Sequence, residues 1–322
     1  MKAVLFSPYT DEQEFRDALR NFPQVEFEIA HSTEELPGKL PGAEILVTAN
    51  RVYDIAAGRL IREHGRALKW IQFTTSGIDK ALASGFPAGV IVTNLAGLRA
   101  FAVAEHAMSL MLGLVRQVRR SEQAFARRDW ARDDLSTGVE NLAGRHLVIV
   151  GTGAIGQDIA RKAKAFDMRV TGVSRSAKPL AHFDALLPRS ELRAACRKAD
   201  FVMVAALADE STEKIVSREI IDAMPPRAYI VNIARGSLID EDALIDALRE
   251  RRIAGAALDV QAIEPVPLEH ALWNLDNLLL TPHVSGAGSQ GTGATHASMF
   301  ADNLRLWLAG KRLEKIVIEK SS

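Results

Sequence analysis

Three residues able to bind anions or move protons each lie just beyond an apolar run typical of a buried strand. These residues are Arg235, Glu264 and His283. An arginine binds carboxylates, an imidazole exchanges a proton near neutral pH, and a carboxylate beside the imidazole favours its protonated form. Taken singly, such an arginine is most often a surface ion pair and such a histidine is most often structural. Ligands of open α/β sheets bind outside the carboxyl ends of the strands, so we expect all three side chains to converge on one ligand.

The most informative motif is the apolar run 147–150 followed by Gly-Thr-Gly-Ala-Ile-Gly, which has the spacing G-x-G-x-x-G. A helical pattern at 157–166 and a strand pattern at 169–173 follow it at βαβ spacing. The backbone N–H groups of such a turn and the positive end of its helix bind a pyrophosphate. A tight turn without a ligand is the alternative, because glycine-rich turns are common, but the flanking pattern favours a dinucleotide site. The predicted cofactor-binding residues of this turn are Gly151, Gly153, Ala154, Ile155 and Gly156.

The residues after the second strand of this unit favour NADP(H) over NAD(H). NAD sites hold the ribose hydroxyls with an acidic residue about 20 residues beyond the glycines. Here the chain reads Val-Ser-Arg-Ser-Ala-Lys at 173–178, without a carboxylate. Ser174 can hydrogen-bond a 2′-phosphate and Arg175 can pair with it, whereas an acidic residue would repel it. Alternatively these are ordinary surface residues and NAD(H) is tolerated.

Strand and helix patterns alternate along the whole chain, which predicts an α/β fold with parallel sheets. We expect two doubly wound parallel-sheet lobes: a Rossmann nucleotide domain at 98–287, inserted into a flavodoxin-like substrate domain made of 1–97 plus 288–322. The patterns predict a long helix at 101–119 with Val118 on its apolar face, and six strands in the nucleotide domain. A helix at 290–309 and an edge strand at 315–318 should return to the first domain. The polar segment 121–144, with an exposed Trp130, is expected to be an arm or a lid.

Composition excludes several classes of protein. The chain has 40 Lys and Arg against 40 Asp and Glu, and no basic cluster interleaved with aromatic residues, which argues against a nucleic-acid partner. The basic run 116–120 is interpreted as the solvated end of a helix. The single cysteine, Cys196, excludes a disulfide framework and is expected to be structural, and no metal is expected. No stretch approaches the roughly 18 apolar residues of a membrane span, so we expect no membrane contact and a cytoplasmic location.

Together these motifs resemble the D-isomer-specific 2-hydroxyacid dehydrogenase family over nearly the whole chain. The resemblance rests on Val92-Thr93-Asn94, Val103-Ala104-Glu105-His106, the glycine turn, Asn232 to Asp240, Asp259 with Glu264-Pro265, and Thr281 to Gly286. It implies that Arg235, Glu264 and His283 are the catalytic arginine, acid and histidine. It also implies cofactor contacts from Ala234 and Asp259, and a substrate-carboxylate loop that includes Thr75, Ser76 and Gly77. The chain departs from relatives at Thr75-Ser76 and at Leu98-Arg99-Ala100, which affects substrate choice.

The chemistry of the three catalytic candidates agrees with this resemblance. Reducing a 2-oxoacid delivers a hydride to the carbonyl carbon while the carbonyl oxygen gains a proton, so the site needs a proton donor, and His283 suits that role. Glu264 would orient the imidazole and favour its charged form. Arg235 would bind the substrate carboxylate and polarise the carbonyl. We therefore expect reduction of a small 2-oxoacid, such as glyoxylate or hydroxypyruvate, to the D-2-hydroxyacid.

Other functions use the same scaffold. A formate or phosphite dehydrogenase also removes a hydride from a small anion, and a nucleotide-sensing, corepressor-like protein would bind the cofactor with little turnover. Relatives are similar in dimerising through the nucleotide domain, so we expect a homodimer that uses this domain and the 121–144 arm. Glu105-His106 is expected to anchor a hinge or a lobe contact. Arg99 is expected either to steer the substrate or to begin a helix facing outward.

Overall fold

The computed structural model describes residues 1–7, 12–287 and 295–319. The chain forms two compact units, one of Met1–Leu98 with Ser289–Ser322 and the other of Arg99–Gly288. Each observed boundary lies one residue beyond the boundary expected from the sequence. Each unit contains a mainly parallel sheet with helices on both faces, which confirms the predicted fold class.

The first part of unit one alternates strands and helices. Its elements are β1 (Lys2–Phe6), α1 (Glu12–Leu19), β2 (Glu26–Ile29), α2 (Leu36–Lys39), β3 (Ala43–Thr48), α3 (Ile55–His64), β4 (Trp70–Phe73), α4 (Asp79–Ser84) and β5 (Ile91–Thr93). Helix α3 begins where the sequence provides an N-cap, because the Asp54 carboxylate accepts the N–H of Ala57.

Unit two holds the glycine turn. Its elements are α5 (Ala100–Val115), α6 (Val118–Ala126), α7 (Arg132–Ser136), β6 (His146–Val150), α8 (Ala154–Ala165), β7 (Arg169–Ser174), β8 (Ala185–Pro188), α9 (Leu192–Cys196), β9 (Phe201–Val204), α10 (Arg218–Ala223), β10 (Tyr229–Asn232), α11 (Glu241–Arg249), β11 (Gly255–Leu258) and β12 (Leu278–Leu280). The chain then returns to unit one with α12 (His296–Leu308) and β13 (Ile316–Ile318).

The strand order of each sheet shows where the glycine turn lies relative to the ligand-binding edge of its sheet. In unit one the order is β13-β5-β4-β3-β1-β2, with β13 antiparallel to β5, which is the flavodoxin-like order with one added strand. In unit two the order is β12-β11-β10-β9-β6-β7-β8, the Rossmann order with one added strand. The direction of winding reverses between β6 and β9, so the glycine turn after β6 lies at the switch point, where such sheets bind their ligands.

Alternation along the central strands builds the cores on both faces of each sheet. In β6, Val148 and Val150 pack with α9, α10 and α11 on one face, while Leu147 and Ile149 pack with α5 and α8 on the other. Both faces of a parallel strand are covered, which is why β6 reads as a continuous apolar run. In unit one, Leu5 packs beneath α1 and α12, so the C-terminal helix completes a core that the N-terminal segment cannot close alone.

Several predicted elements differ from the structure. The helix predicted at 101–119 ends at Val115, because Gln117 has a left-handed backbone (φ 54°), and Val118 is 49% exposed instead of lying on the apolar face. The segment 121–144 contains most of α6 and all of α7. The described residues of unit two form seven strands, not six, because β8 is an additional short edge strand. The residues 290–294 of the predicted final helix lie outside the described residues.

The basic run 116–120 is not simply a solvated helix end, which corrects that interpretation. The Arg119 guanidinium is half-buried and donates to the carbonyl of Leu275 over 2.8 Å, and also to the carbonyl of Leu278. It therefore ties the start of α6 to the residues that lead into β12.

Cys196 is buried at the end of α9, and burial raises the pKa of its thiol to about 12, which suits a structural residue.

Candidate active site and cofactor-binding turn

The glycine turn after β6 leaves room for a ligand at one position and none at the other two. A Cβ on Gly151 would lie 2.6 Å from backbone atoms of Ala205 and Ala206, and one on Gly156 would lie 2.1 Å from the Gly151 carbonyl oxygen. A Cβ on Gly153 would meet nothing within 4 Å. The first and third glycines therefore allow close backbone packing, and the second leaves an open surface at the start of α8, where no side chain caps the helix.

These observations fit a bound dinucleotide. The open Gly153 surface and the uncapped N–H groups at Ala154 and Ile155 are the features that accept a pyrophosphate. The predicted helix start at 157 is corrected to Ala154, so both of these residues belong to the first turn of α8. Their N–H groups therefore point along the axis of a twelve-residue helix with its positive end toward the turn.

The residues after β7 are exposed, as a 2′-phosphate site requires. The Ser174 hydroxyl donates to the Ser176 carbonyl over 2.9 Å, and Arg175 is exposed. A carboxylate on another loop lies within electrostatic reach of that arginine. Hydrogen bonds from Ser211, opposed by partial desolvation, lower the pKa of Asp209, and the positive charge of Arg175 contributes to the lowering.

His283 and Glu264 form a hydrogen-bonded pair in unit two. Nδ1 of His283 lies 2.7 Å from Oε2 of Glu264, and the two side chains are 45% and 34% exposed. The other carboxylate oxygen, Oε1, accepts the N–H of Gln261 over 3.1 Å. Burial alone would raise the pKa of Glu264, but the hydrogen bonds from His283 and Gln261 and the charge of Arg235 lower it below its ordinary value. The carboxylate is therefore ionised near neutral pH.

The loop that carries Arg235 packs closely against the loop that carries Glu264. A Cβ on Gly236 would lie 2.0 Å from the carbonyl carbon of Gln261, so only glycine allows this approach. Asn232 fixes the start of the loop, because its side chain donates to the Arg235 carbonyl over 2.8 Å and accepts the N–H of Ala234 over 3.1 Å. The structure therefore brings together the arginine, acid and histidine that the sequence singled out.

Asp259 organises the turn that bears His283. Its side chain is fully buried. Oδ1 accepts the Thr281 hydroxyl over 2.6 Å and the N–H of Val284 over 3.0 Å, and Oδ2 accepts the N–H of Ser285 over 2.9 Å. Burial would raise the pKa of Asp259, but these hydrogen bonds lower it. The backbone of His283 has φ 53°, and its N–H donates to the Asp259 carbonyl over 2.8 Å.

Two residues that sequence reasoning did not place in the site support these loops. The Glu241 carboxylate accepts the N–H of Ala262 over 3.0 Å and lies 3.4 Å from Nε2 of His270, which ties the Glu264 loop to the start of α11. His106, on α5, lies 3.0 Å from the Thr281 hydroxyl. Glu105, its neighbour, is exposed. The motif Glu105-His106 is the sequence signal for this contact, although its pattern predicts only a hinge or lobe anchor.

The predicted substrate loop lies in unit one and has its own hydrogen-bond framework. The Thr75 hydroxyl donates to the Gly77 carbonyl over 2.9 Å, and the Ser76 hydroxyl donates to the Leu95 carbonyl over 3.1 Å. The Asn94 amide donates to the Ser76 carbonyl over 2.6 Å. These contacts hold the turn after β4 in one conformation, and the role of Thr75, Ser76 and Gly77 in substrate binding stays a prediction.

Arg99 does not face outward from the start of α5. Its guanidinium is half-buried and donates to the Gly286 carbonyl, and burial lowers its pKa from the ordinary value.

In the part of the chain that the structure describes, no group of three or more His, Cys, Asp or Glu side chains could hold a metal ion. No helix among those residues is long and apolar enough to cross a bilayer.

Comparison with known proteins identifies the family to which the chain is similar. The family model described as D-isomer specific 2-hydroxyacid dehydrogenase, NAD binding domain, matches residues 108–285. The chain is 33% identical over 301 residues to a D-3-phosphoglycerate dehydrogenase of Methanocaldococcus jannaschii, covering 93% of this chain and 56% of that protein. It therefore spans about half the length of that relative. It is 37% identical over 229 residues to a glyoxylate reductase of Pyrococcus furiosus, covering 69% of this chain and 67% of that protein.

A solved structure from Aeromonas salmonicida, described as a D-isomer specific 2-hydroxyacid dehydrogenase family protein, superimposes with a TM-score of 0.86 at 28% identity. The match covers 98% of both chains. The family model covers the glycine turn and describes an NAD binding domain, which agrees with the dinucleotide-binding role predicted for that turn. The chain belongs to the D-isomer specific 2-hydroxyacid dehydrogenase family, a family of oxidoreductases that bind a nicotinamide cofactor.

Proposed function

We propose that the protein is an NADP(H)-preferring reductase that converts small 2-oxoacids to D-2-hydroxyacids. The observation that carries the proposal is the 2.7 Å hydrogen bond between His283 and Glu264, formed by loops at the carboxyl edge of the sheet that also holds the glycine turn. The charge of Arg235 acts on the same carboxylate. A proton donor, its acidic partner and an anion-binding group on one edge are the groups that ketone reduction requires.

Each catalytic side chain has a separate role in this proposal. The nicotinamide supplies the hydride when the cofactor is bound. His283 uses Nδ1 for Glu264, so Nε2 is the nitrogen that gives a proton to the carbonyl oxygen. Glu264, held ionised, favours the imidazolium before that transfer and fixes the plane of the ring. Arg235 binds the substrate carboxylate and compensates the negative charge that develops on the oxygen.

The residues that would hold the cofactor divide between pyrophosphate and ribose. Gly151, Gly153, Ala154, Ile155 and Gly156 would hold the pyrophosphate, as the open surface at Gly153 supports. Ser174 and Arg175 would bind the 2′-phosphate, which is the basis of the NADP(H) preference. Ala234 is assigned to the cofactor because it precedes Arg235 at the same sheet edge. The Asp259 side chain is fully buried and accepts hydrogen bonds from Thr281, Val284 and Ser285, so its proposed effect on the cofactor acts through the turn that it holds.

Glyoxylate and hydroxypyruvate are the first substrates to test. One relative carries the name glyoxylate reductase, and the three catalytic groups act on the carboxylate and carbonyl that all 2-oxoacids share. Substrate side-chain specificity depends on loop residues such as Thr75, Ser76 and Gly77, so a panel of 2-oxoacids of increasing size is needed to define it.

Steady-state assays of the purified protein test the proposal. NADPH and NADH are each combined with the 2-oxoacid panel, and NADP⁺ and NAD⁺ with formate and phosphite. We expect turnover with small 2-oxoacids, a D-configured product by chiral chromatography, and higher kcat/KM with NADPH. Reduction of NAD(P)⁺ by formate or phosphite alone would establish the anion-dehydrogenase alternative. Tight nucleotide binding with negligible turnover would establish the corepressor-like alternative.

His283→Ala is the matched inactive variant for these assays. Loss of a general acid lowers the rate by about a hundredfold to ten-thousandfold. Because His283 is 45% exposed, the substitution leaves the core intact, and we expect cofactor affinity to survive. Activity retained in this variant would contradict the proton-transfer role.

We also propose that the protein is a homodimer that uses unit two and the 121–144 arm. The arm exposes Phe125 (78%) and Trp130 (89%) on the α6–α7 surface. Two large apolar side chains exposed close together in sequence are typical of a surface covered by a partner.

A further inference from the structure

We propose that His106 is a positioning residue for catalysis: through Thr281 and Asp259 it holds the turn that carries His283 in its active conformation. This proposal rests on the proposed function, because it assigns a supporting role for the same proton donor. The residues involved all belong to unit two.

The contacts form one chain from α5 to the catalytic turn. Nε2 of His106 lies 3.0 Å from the hydroxyl oxygen of Thr281 and 3.4 Å from Oδ1 of Asp259. The Thr281 hydroxyl lies 2.6 Å from that same oxygen. Asp259 then accepts the backbone N–H groups of Val284 and Ser285, the two residues that follow His283. The imidazole of His106 is therefore linked through three successive hydrogen bonds, by way of Thr281 and Asp259, to the backbone that follows His283.

Hydrogen-bond chemistry fixes which nitrogen of His106 carries a proton. An ionised carboxylate only accepts hydrogen bonds, so the single hydroxyl proton of Thr281 must go to Asp259. The threonine oxygen then faces His106 as an acceptor, and Nε2 must be the donor. The Nε2–H group is thus required for the chain to be complete, whether the imidazole is neutral or charged.

The catalytic turn needs such support because its backbone conformation is unfavourable. His283 has φ 53°, a left-handed value that non-glycine residues adopt rarely. The Asp259 carboxylate compensates by accepting three described hydrogen bonds within residues 281–285. His106 lies within a sixteen-residue helix between the buried residues Ala104 and Ala107, so it offers a fixed point for the carboxylate that the loop itself lacks.

Three variants of α5 test this role by their effect on kcat. His106→Leu removes the donor at similar volume, and His106→Gln keeps an amide donor that can reach the position of Nε2. Ser109→Ala is the matched control, since the described hydrogen bond of this exposed hydroxyl goes to the His106 backbone carbonyl of its own helix. Misplacing a catalytic group by about 1 Å can cost up to a hundredfold, so we expect kcat about tenfold lower in H106L with KM for the 2-oxoacid unchanged. We expect H106Q to lie within about threefold of wild type and S109A to be unchanged.

A merely structural histidine gives a different result. It would lower the melting temperature in H106L while kcat of the folded enzyme stays the same, or it would reduce kcat equally in the Leu and Gln variants. Either result overturns the proposal. Thr281→Val gives a second comparison, because two residues acting through one chain are not additive. We expect the H106L/T281V double variant to lose no more kcat than T281V alone, and additive losses would contradict the chain.

An NMR measurement decides the question without any turnover, so a failure of the proposed 2-oxoacid activity would not affect it. In protein labelled with ¹⁵N-histidine, we expect His106 to carry its proton on Nε2. We also expect the ring signals of His283 to broaden or split in H106L but not in S109A. A bare Nε2 on His106, or unchanged His283 signals in H106L, would overturn the proposal.

Discussion

The carboxylate of Glu264 holds the imidazole of His283 by a single 2.7 Å hydrogen bond to Nδ1. The two residues come from loops that follow the neighbouring parallel strands β11 and β12. Because the pKa of Glu264 is lowered in the folded protein, the carboxylate keeps its negative charge throughout the neutral range. In the proposed mechanism, that charge faces the imidazole that gives a proton to the substrate during reduction.

The pH dependence of reduction should therefore move when Glu264 is neutralised. In Glu264→Gln the imidazolium loses its partner charge, so reduction is restricted to more acidic solution. We expect the alkaline limb of the kcat/KM profile to shift to lower pH, and kcat at neutral pH to fall. The acidic limb for oxidation should shift in the same direction, because oxidation needs the neutral imidazole. Both profiles are measured by steady-state kinetics.

A second histidine–glutamate pair provides the control for this experiment. In unit one, Nδ1 of His31 lies 3.1 Å from Oε1 of Glu12, and both side chains are exposed. Glu12→Gln removes the same kind of pair far along the chain from the catalytic residues, and we expect both profiles to stay in place. An unshifted alkaline limb in E264Q, or an equal shift in E12Q, would contradict the role of Glu264.

The common placement of the three candidate catalytic side chains could be predicted because parallel strands end at a common edge of the sheet. Arg235, Glu264 and His283 each follow a recognisable strand, and the strand patterns were strong enough to fix their relative placement. The Rossmann order also follows from the glycine turn and the alternation of elements. Local patterns therefore predicted both the fold and the placement of these three side chains on one edge of the sheet.

Features that depend on distant contacts could not be predicted. His106 and Thr281 are separated by 175 residues, and nothing in either local pattern indicates the other. Strand β8 has four residues that are exposed or half-buried, too short and too weakly apolar to be recognised. The end of α5 depends on the left-handed Gln117, while the flanking sequence has good helix formers.

The glycine turn offers a pair of variants that separate folding from cofactor binding. Gly153→Ala adds a Cβ into open space at φ −71°, so the free energy of unfolding should change by less than about 0.5 kcal/mol. The same Cβ faces the approach of the pyrophosphate, and we expect the Kd for NADPH to rise about tenfold. Chemical denaturation and fluorescence titration measure the two quantities.

Gly156→Ala, in contrast, should lower the stability of the fold. Its Cβ would lie 2.1 Å from the Gly151 carbonyl oxygen, so the turn must shift and the fold should lose about 2 kcal/mol of stability. If G153A destabilised the fold as much as G156A, or left cofactor affinity unchanged, the assignment of Gly153 to the pyrophosphate would be wrong.

The proposed dimer can be tested by making the arm polar. Trp130→Ser removes an indole that is 89% exposed, and we expect the protein to elute as a monomer in size-exclusion chromatography with light scattering at micromolar concentration. The matched control is Leu268→Ser, a side chain that is 88% exposed outside the arm. A monomeric wild-type protein would contradict the proposed dimer. A W130S protein that stays dimeric would show that the arm does not form the interface.

Cofactor preference should depend on the charge at Arg175. In Arg175→Asp a carboxylate replaces the group that would pair with the 2′-phosphate, so NADPH is repelled and the ribose hydroxyls of NADH gain an acceptor. We expect the ratio of kcat/KM for NADPH to that for NADH to fall at least about tenfold, the equivalent of about 1.4 kcal/mol. The control is Lys198→Asp. Lys198 is exposed and precedes β9, so it lies at the amino-terminal ends of the strands, opposite the proposed cofactor site. This substitution reverses a charge in the same unit and should leave the ratio unchanged.

Asp209 gives the opposite test of the same site, because its carboxylate competes for the charge of Arg175. In Asp209→Asn the arginine is released to the 2′-phosphate, and the ratio should rise about twofold to threefold, as expected for an exposed charge pair. A ratio that does not respond to either substitution would mean that the 2′-phosphate binds elsewhere. A ratio that falls in both variants would mean that Asp209 positions the phosphate site instead of competing with it.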